Sequence, residues 1–336
     1  MGEKEASFYK KLGEQRVQCK LCPHFCILKN NERGKCKARI NKSGKLISLV
    51  YGRAITLALD PIEKKPLYHF LPGEKTLSVA TAGCNLSCGH CQNFEISQVK
   101  PEETPSLELK PEDVVKAAER KKTNIISYTY TEPTIFYEYA KDIAVLAKAR
   151  GMKNVTVTNG FINKEPLKEL CNYIHASNID LKSISDEFYK DVCGAKLPPI
   201  LEAIKIMHKE IWIEITNLII PGLNDNEKEI KKLVLWVKSN LGVNVPLHFS
   251  AFYPTYKMLD LPPTSLGILK KAREIAMNEG LNFVYTGNIL DETGNNTYCP
   301  ECKKLIIKRR GFEVLENYIE KSRCPYCQEK IAGVWD

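Results

Sequence analysis

Short β-branched runs that alternate with amphipathic helical stretches constrain the fold of this 336-residue chain more than any other feature. The runs are 76–81, 124–129, 154–158, 178–182, 211–219, 245–251 and 282–286, and the helical stretches lie near 111–121, 134–150, 164–174, 198–209, 225–240 and 264–279. Such alternation predicts βαβ units and a parallel sheet. At the ends of the helical stretches, Asp225 and Thr264 are predicted helix caps, and Gly151 and Gly280 are predicted helix stops. Seven strands favour a full or partial parallel (β/α) barrel, and an open doubly wound sheet is the structural alternative.

Cysteine content and charge divide the chain into three parts. We expect a basic, Cys-rich N-terminal lobe and connector at 1–72, a barrel core at 73–298 and a second Cys-rich lobe at 299–336. The net charge of +9 is concentrated in the first part, which holds 15 Lys/Arg against 6 Asp/Glu and faces either solvent or an acidic partner. No signal peptide or membrane span is evident, so a cytoplasmic protein is expected.

Polar side chains occur at successive predicted strand ends. Glu132 follows the second strand, Asn159 ends the third, Asp180 and Lys182 end the fourth, and His248 lies in a later strand. In a barrel, function gathers where the strands end at the carboxyl face. Several polar groups at that face predict one shared site.

The segment after the first barrel strand contains Cys84, Cys88 and Cys91 in a C-x3-C-x2-C pattern. Three thiolates on one loop can hold three corners of a four-iron four-sulfur (4Fe–4S) cluster, which normally takes four protein ligands. One iron is then open to a substrate. A zinc ion is the alternative, and it would need a fourth ligand such as His90.

This loop resembles the signature of radical S-adenosylmethionine (SAM) enzymes. Segments 128–134 (YTYTEPT), 157–161 (VTNGF) and 179–183 (IDLKS) are similar to those of pyruvate formate-lyase activating enzymes. Segments 60–70 (DPIEKKPLYHF) and 247–254 (LHFSAFYP) resemble the radical SAM member of the AmmeMemoRadiSam system. The resemblance covers the chain from about Cys19 to Trp335.

The resemblance implies a SAM-cleaving enzyme with a 4Fe–4S cluster, and it suggests roles for the polar strand ends. Glu132 would accept hydrogen bonds from the SAM ammonium, and Asn159 would meet the ribose hydroxyls. Lys182 would pair either with the SAM carboxylate or with Asp180. His248 is either a cofactor contact or a structural strand histidine.

Partners also follow from the resemblance. They are Memo-like and AMME-type proteins and an electron donor. A glycyl-radical activating enzyme is the second hypothesis.

Two further cysteine sets flank the barrel. Cys299, Cys302, Cys324 and Cys327 form two C-x2-C pairs that predict a closed, structural zinc ribbon, with an auxiliary cluster as the alternative. The N-terminal set is Cys19, Cys22, Cys26 and Cys36, which suits zinc and a second iron–sulfur cluster equally, with His24 as a supporting group. The isolated Cys171 and Cys193 are interpreted as small buried apolar residues.

A third hypothesis is a zinc-ribbon protein that binds nucleic acid. The C-terminal lobe is nearly neutral, and the basic lobe lacks an aromatic stacking motif. The ordered barrel motifs would also have no purpose in such a protein. These features argue against nucleic acid as a partner.

Overall fold

The computed structural model describes residues 3–336 and is built on one eight-stranded sheet. Its strands are β1 (Thr56–Pro61), β2 (Lys75–Ala80), β3 (Ile125–Tyr128), β4 (Lys153–Thr158), β5 (Ala176–Asp180), β6 (Trp212–Ile219), β7 (Leu247–Ala251) and β8 (Val284–Gly287). They pair in strict chain order, β1 antiparallel to β2 and all later neighbours parallel. An order that never reverses excludes the doubly wound alternative, and β1 and β8 are the edges of a partial barrel.

Six helices follow the parallel strands. They are α1 (Pro111–Arg120), α2 (Tyr137–Ala149), α3 (Lys164–Cys171), α4 (Leu197–Glu210), α5 (Glu227–Leu241) and α6 (Leu266–Asn278). Each buries one apolar face, as α5 does with Ile230, Leu233, Val234, Val237 and Leu241 at helical spacing. The predicted alternation of strands and helices is therefore confirmed throughout the core.

Shorter helical turns lie in the connections. The one-turn helix Phe94–Ser97 follows the cysteine loop, and 3-10 turns span Ile62–Lys64, Pro101–Glu103 and Pro133–Phe136. A short turn at Asp186–Phe188 leads into a π-helical turn at Tyr189–Cys193. π-Helical turns frequently occur at functional sites, which directs attention to this last segment.

The N-terminal lobe packs directly on the barrel. Its strands are Lys4–Glu5, Tyr9–Lys11, Val17–Cys19, Ile27–Leu28, Arg39–Lys42, Lys45–Ser48 and Arg53–Ala54, the last pairing with Leu107–Glu108. The buried guanidinium of Arg39 donates to both carboxylate oxygens of Glu138 on α2, at 2.6 and 2.7 Å. Lobe residues such as Val17 and Leu21 belong to the same apolar cluster as the barrel core. The next strand, β1, lies in the predicted connector but joins the barrel sheet.

The C-terminal lobe covers the opposite, amino-terminal side of the sheet. Its antiparallel strands are Thr297–Tyr298, Leu305–Arg310 and Glu313–Asn317. Buried Arg309 donates to the Tyr68 carbonyl at 2.7 Å and to Thr297 Oγ1 at 2.7 Å, and its guanidinium lies 4.4 Å from the Tyr68 ring centroid. The connection between β1 and β2 is therefore held between the barrel and this lobe.

Across residues 3–336, no helix combines the length and apolar character that crossing a membrane requires.

Candidate functional site

The predicted cysteine loop lies between β2 and the one-turn helix Phe94–Ser97, and the neighbouring chain holds it in place. The main-chain N–H of Ser87 donates to the Cys193 carbonyl at 2.9 Å, and that of Gly89 donates to the Val192 carbonyl at 3.0 Å. Gly194 has a φ of +68°, and a Cβ there would overlap Ser87 Oγ. The π-helical turn therefore approaches the loop as closely as glycine allows.

The spacing of the sulfurs separates two kinds of cysteine set. Zn–S bonds are about 2.3 Å long, so two sulfurs on one zinc ion are at most about 4.6 Å apart. Among residues 3–336, the four sulfurs of the C-terminal set all lie within 4.8 Å of one another. The sulfurs of Cys84, Cys88 and Cys91 do not all lie within that distance of one another. The loop sulfurs are thus too far apart to share one zinc ion, as ligands of a larger cluster would be.

Two further residues lie beside Cys88, namely His90, which the sequence offered as a fourth zinc ligand, and Cys193, which it did not place in the site. Cys193 and His90 have ligand atoms within 4.8 Å of one another and of the Cys88 sulfur. The prediction that Cys193 is buried is confirmed, but its sulfur also lies close to the Cys88 sulfur. No spacing rule could have linked two cysteines so far apart in the chain.

The His90 ring is buried, and neither of its nitrogens has a hydrogen-bond partner among residues 3–336. Burial, with a contribution from the positive charge of Lys182, lowers its pKa to about 3. The ring is therefore neutral at physiological pH. Two unsatisfied buried nitrogens beside the Cys88 sulfur fit a site that binds a further group next to the loop.

Glu132 lies at the carboxyl end of the strands, as predicted, and is almost completely buried. Its Oε1 accepts from the N–H of Thr134 at 3.0 Å and from Thr158 Oγ1 at 2.8 Å, while Oε2 accepts from the N–H of Asn159 at 2.8 Å. Burial raises the pKa of Glu132, although these hydrogen bonds oppose the shift. The carboxylate is fixed in position, and Oε2 retains acceptor capacity.

Asn159 connects Glu132 to the loop. Its Nδ2 donates to Asn85 Oδ1 at 2.9 Å and lies 3.8 Å from Cys84 Sγ. The Asn159 Oδ1 accepts from the N–H of Phe161 at 2.8 Å. The structure thus brings Cys84, Glu132 and Asn159 together, although their predicted contacts with SAM stay predictions.

Asp180 and Lys182 form the ion pair that the sequence suggested, with 2.8 Å between Lys182 Nζ and Asp180 Oδ2. Burial disfavours the charge on Lys182, but Asp180 and the neighbouring thiols of Cys88 and Cys193 raise its pKa overall. The lysine therefore stays charged beside the loop. Its second predicted partner, the SAM carboxylate, is not tested by this geometry.

His248 lies in the interior of the barrel, where its ring contacts other buried side chains. Its Nε2 lies 2.7 Å from Glu214 Oε2, and its ring packs against Tyr68 and Tyr285 at 4.8 and 5.1 Å. Glu214 also accepts from the main-chain N–H groups of Tyr68 and His69 at 3.0 and 2.7 Å. This geometry favours the structural alternative for His248, because the ring is enclosed by protein partners.

A polar network for which the sequence predicted no role is centred on Asp60 in β1. Asp60 accepts from Lys65 Nζ at 2.8 Å, Ser78 Oγ at 2.7 Å and Tyr130 OH at 2.5 Å. Tyr130 has a φ of +63°, and its carbonyl accepts from Asn93 Nδ2 at 2.8 Å. The network ties the segment before β2 to the end of β3 and to the end of the cysteine loop.

The C-terminal set has the geometry of a single-ion site. The sulfurs of Cys299 and Cys327 are 3.5 Å apart, and those of Cys302 and Cys324 are 3.7 Å apart. Tetrahedral coordination with Zn–S bonds of about 2.3 Å places sulfurs about 3.8 Å apart. Four closely spaced thiols therefore fit the predicted zinc ribbon.

Comparison with known proteins agrees with this arrangement. Residues 78–237 match the family model of the radical SAM superfamily, which spans the loop, Glu132, Asn159, Asp180 and Lys182. The chain is 48% identical over 331 residues to the uncharacterized protein MJ0808 of Methanocaldococcus jannaschii, and the match covers 98% of both chains.

Activating enzymes are similar to this chain at lower identity, and a solved structure shares its fold. The pyruvate formate-lyase-activating enzyme of Streptococcus mutans is 26% identical over 47% of this chain and 64% of its own. The isethionate sulfite-lyase activating enzyme of Desulfovibrio desulfuricans is 23% identical over 50% and 54%. A radical SAM methyltransferase from Sphaerobacter thermophilus shares the fold with a TM-score of 0.51 at 14% identity, covering 66% of this chain and 68% of that one. The chain therefore belongs to the radical SAM superfamily, is an enzyme, and is homologous to the pyruvate formate-lyase activating enzymes.

Proposed function

We propose that this chain is the radical SAM member of the AmmeMemoRadiSam system and acts with Memo-like and AMME-type proteins on a substrate that they supply or share. The observation that carries the SAM-cleaving site is the meeting of Cys84, Glu132 and Asn159 where β2, β3 and β4 end. The system itself is inferred from segments 60–70 and 247–254. Three sets of free cysteines also suit a reducing compartment, so we place the protein in the cytoplasm.

The residues present fit a 4Fe–4S cluster. Cys84, Cys88 and Cys91 would hold it, because their sulfurs are spaced too widely for one zinc ion and the unsatisfied ring of His90 lies beside them. When bound, the cluster supplies the single electron that splits SAM into methionine and a 5′-deoxyadenosyl radical. Only three loop ligands leave one iron accessible to the amino-acid end of SAM.

The chain's own groups would bind and orient SAM. Glu132 Oε2 offers an acceptor to an ammonium group, and the donors from Thr134 and Thr158 fix the carboxylate. Lys182 offers a positive charge to a carboxylate, while Asp180 keeps it charged in a buried position. The opposite charges at the two ends of the site match the zwitterionic amino-acid end of SAM.

Anaerobic incubation with SAM, reductant and the two partner proteins tests the proposal. Deuterated cell extract or candidate substrates are added, and 5′-deoxyadenosine is analysed by mass spectrometry. Deuterium in 5′-deoxyadenosine that depends on the Memo-like and AMME-type proteins supports the assignment. Equal transfer with and without both proteins contradicts the partner assignment but leaves SAM cleavage standing.

A glycyl-radical activating enzyme is a second candidate, since named relatives are activating enzymes. Such an enzyme removes a hydrogen atom from a glycine of a partner protein. A glycyl-radical doublet in the electron paramagnetic resonance (EPR) spectrum of a co-expressed partner would establish this activity. Its absence with every glycyl-radical protein of the host favours the first proposal.

A further inference from the structure

The N-terminal cysteines surround a largely enclosed pocket. Its lining includes all four sulfur-bearing residues, namely Cys19, Cys22, Cys26 and Cys36, and also His24 and Arg39. Cys19 ends the strand Val17–Cys19, and its N–H donates to the Cys26 carbonyl at 2.9 Å. Four thiols that converge on one pocket from separate turns form a ligand set, not a chance cluster of reactive side chains.

The spacing of these sulfurs excludes one zinc ion without rearrangement. No three of the four N-terminal sulfurs, all within the described residues 3–336, lie within 4.8 Å of one another. Two sulfurs on one zinc ion can be at most about 4.6 Å apart. The same chain provides two references, because the C-terminal set meets this limit and the radical SAM loop does not. The N-terminal set therefore resembles the loop that belongs to a 4Fe–4S family.

A buried charge supports an anionic occupant. Arg39 is 2% exposed and pairs with Glu138, but within the described residues 3–336 its Nε has no hydrogen-bond partner. The guanidinium lines the pocket next to Cys19 and Cys36. A cluster carried by four thiolates has net negative charge, and an unsatisfied buried donor beside it is then accounted for.

The pocket adjoins the radical SAM loop through two contacts. Gly83, next to Cys84, has a φ of +100°, and a Cβ there would lie 2.5 Å from the Cys36 carbonyl oxygen. His24 Nε2 lies 2.7 Å from the carbonyl oxygen of Asn85, on the other side of Cys84. The backbone around Cys84 is thus in direct contact with two residues of the N-terminal pocket.

We infer that Cys19, Cys22, Cys26 and Cys36 hold a second 4Fe–4S cluster that relays electrons to the radical SAM loop. Four cysteine ligands leave no iron open, so this cluster transfers electrons and does not bind substrate. It takes one electron from a low-potential one-electron donor protein and passes that electron to the loop cluster, with no bond or proton change. The relay rests on the proposed function, whereas the identity of the metal does not.

The triple variant Cys84→Ala/Cys88→Ala/Cys91→Ala tests the metal assignment independently of SAM cleavage. After anaerobic reconstitution of the full chain, we expect about four irons and about four sulfides per chain, with a reducible 4Fe–4S EPR signal. The wild-type chain should hold about twice as much iron. An iron-free triple variant with two zinc ions per chain would overturn the inference.

A second variant covers the case in which the triple variant does not fold. Cys22→Ser in the otherwise intact chain should lose about half of the iron and keep the EPR change that SAM causes at the loop cluster. Cys171→Ser, which lies on α3 outside every cysteine set, is the matched control and should keep all iron. Full iron content in Cys22→Ser would contradict the assignment.

The relay is tested by comparing two reductants. SAM cleavage is measured with a reduced flavodoxin-type protein and with dithionite, a small reductant that does not need a docking site. The rate with the flavodoxin-type protein, divided by the rate with dithionite, should fall in Cys22→Ser, because only electron transfer from the protein donor depends on the second cluster. A ratio equal to that of the wild type would overturn the relay, even where SAM cleavage itself is intact.

Discussion

The two cysteine-rich lobes each carry four cysteines, yet they hold the sulfurs in different ways. In the C-terminal lobe the sulfur pairs are 3.5 and 3.7 Å apart, and all four lie within 4.8 Å. In the N-terminal lobe no three sulfurs meet that limit, and the residues surround a pocket that also contains Arg39. Both lobes contain a C-x2-C pair, Cys19–Cys22 and Cys299–Cys302. Local spacing therefore does not determine how far apart the sulfurs lie, and tertiary packing does.

The physical origin of the difference lies in the chain around each set. In the C-terminal lobe, one C-x2-C pair lies between the first two strands of a small antiparallel sheet and the other follows the sheet in the chain, and their four sulfurs converge. In the N-terminal lobe, Cys26 and Cys36 come from separate turns, and the carbonyl of Cys36 lies against Gly83 of the barrel loop. A lobe whose cysteine ligands converge within the lobe suits a structural ion. A lobe whose ligand set contacts the radical SAM loop suits a metal group that takes part in the reaction.

The largest expected effect concerns the radical SAM loop, whose sulfur spacing is the reference for the two cysteine-rich lobes. Cys84→Ala, Cys88→Ala or Cys91→Ala should each abolish SAM cleavage, because three ligands are the minimum for this cluster site. Product analysis for 5′-deoxyadenosine under reducing anaerobic conditions measures the effect, with Cys171→Ser as the control. Wild-type cleavage in any one of the three variants would remove that cysteine from the site.

The C-terminal set should respond in stability and not in the loop cluster. Cys299→Ser or Cys324→Ser should lose the zinc and destabilise the lobe on the order of several kcal/mol, because zinc binding contributes folding free energy directly. Zinc analysis, thermal unfolding and limited proteolysis measure the change. The absorption spectrum of the loop cluster should remain recognisable. A second iron–sulfur signal that disappears in these variants would replace zinc in this lobe.

Glu132→Gln separates cofactor binding from cluster assembly. The variant should keep near-normal iron, while SAM binds about one to two powers of ten more weakly, because a charge-assisted hydrogen bond contributes about 1.5–3 kcal/mol. In one orientation of the glutamine amide, its NH2 group would face the N–H of Thr134 and the O–H of Thr158, which are both donors. Anaerobic titration with SAM measures the affinity, and exposed Glu202→Gln is the control. Equal affinities in Glu132→Gln and wild type would identify Glu132 as a structural carboxylate.

The junction with the C-terminal lobe should be sensitive to acid. Burial lowers the pKa of His69 to about 4, whereas the unfolded histidine titrates near 6.5. Below pH 6.5 the unfolded chain binds more protons at this ring than the folded chain does. The stability that the neutral, buried His69 contributes is therefore present above pH 6.5 and is lost as the pH falls towards 4. Between pH 7 and pH 5 the loss is about 2 kcal/mol.

His69→Gln removes the titrating ring and serves as the test. Thermal unfolding is compared at pH 7 and pH 5, and the wild type should lose more stability on acidification than the variant. The difference between the two slopes isolates His69 from other groups, including Glu63, whose pKa burial raises to about 7. Parallel slopes would show that the ring does not titrate on unfolding as described.

Much of the barrel could be predicted because its signals are local. Alternating apolar runs located all seven parallel strands, and Gly151 and Gly280, predicted helix stops, follow α2 and α6 with positive φ values. The predicted caps Asp225 and Thr264 were each wrong by one residue. Asn226 and Ser265 accept the capping N–H groups, while Asp225 accepts from Gly222 and Thr264 bonds to Ile219 and Phe252.

The rest of the site depends on contacts between distant parts of the chain. The approach of Cys193 to Cys88 requires the π-helical turn, and the enclosure of His248 requires Glu214 and the connection between β1 and β2. Neither contact leaves a local pattern in the sequence. The loop and Glu132 were found because a motif and a strand end mark them, whereas residues that support them carry no such mark.

The central claim is that the loop of Cys84, Cys88 and Cys91 makes this chain a SAM-cleaving enzyme. Quantifying methionine and 5′-deoxyadenosine after anaerobic reconstitution of the full chain tests that claim most directly. The account predicts equal amounts of both products, formed only when a reductant is present. Intact SAM in a reduced preparation that carries its full iron content would contradict it.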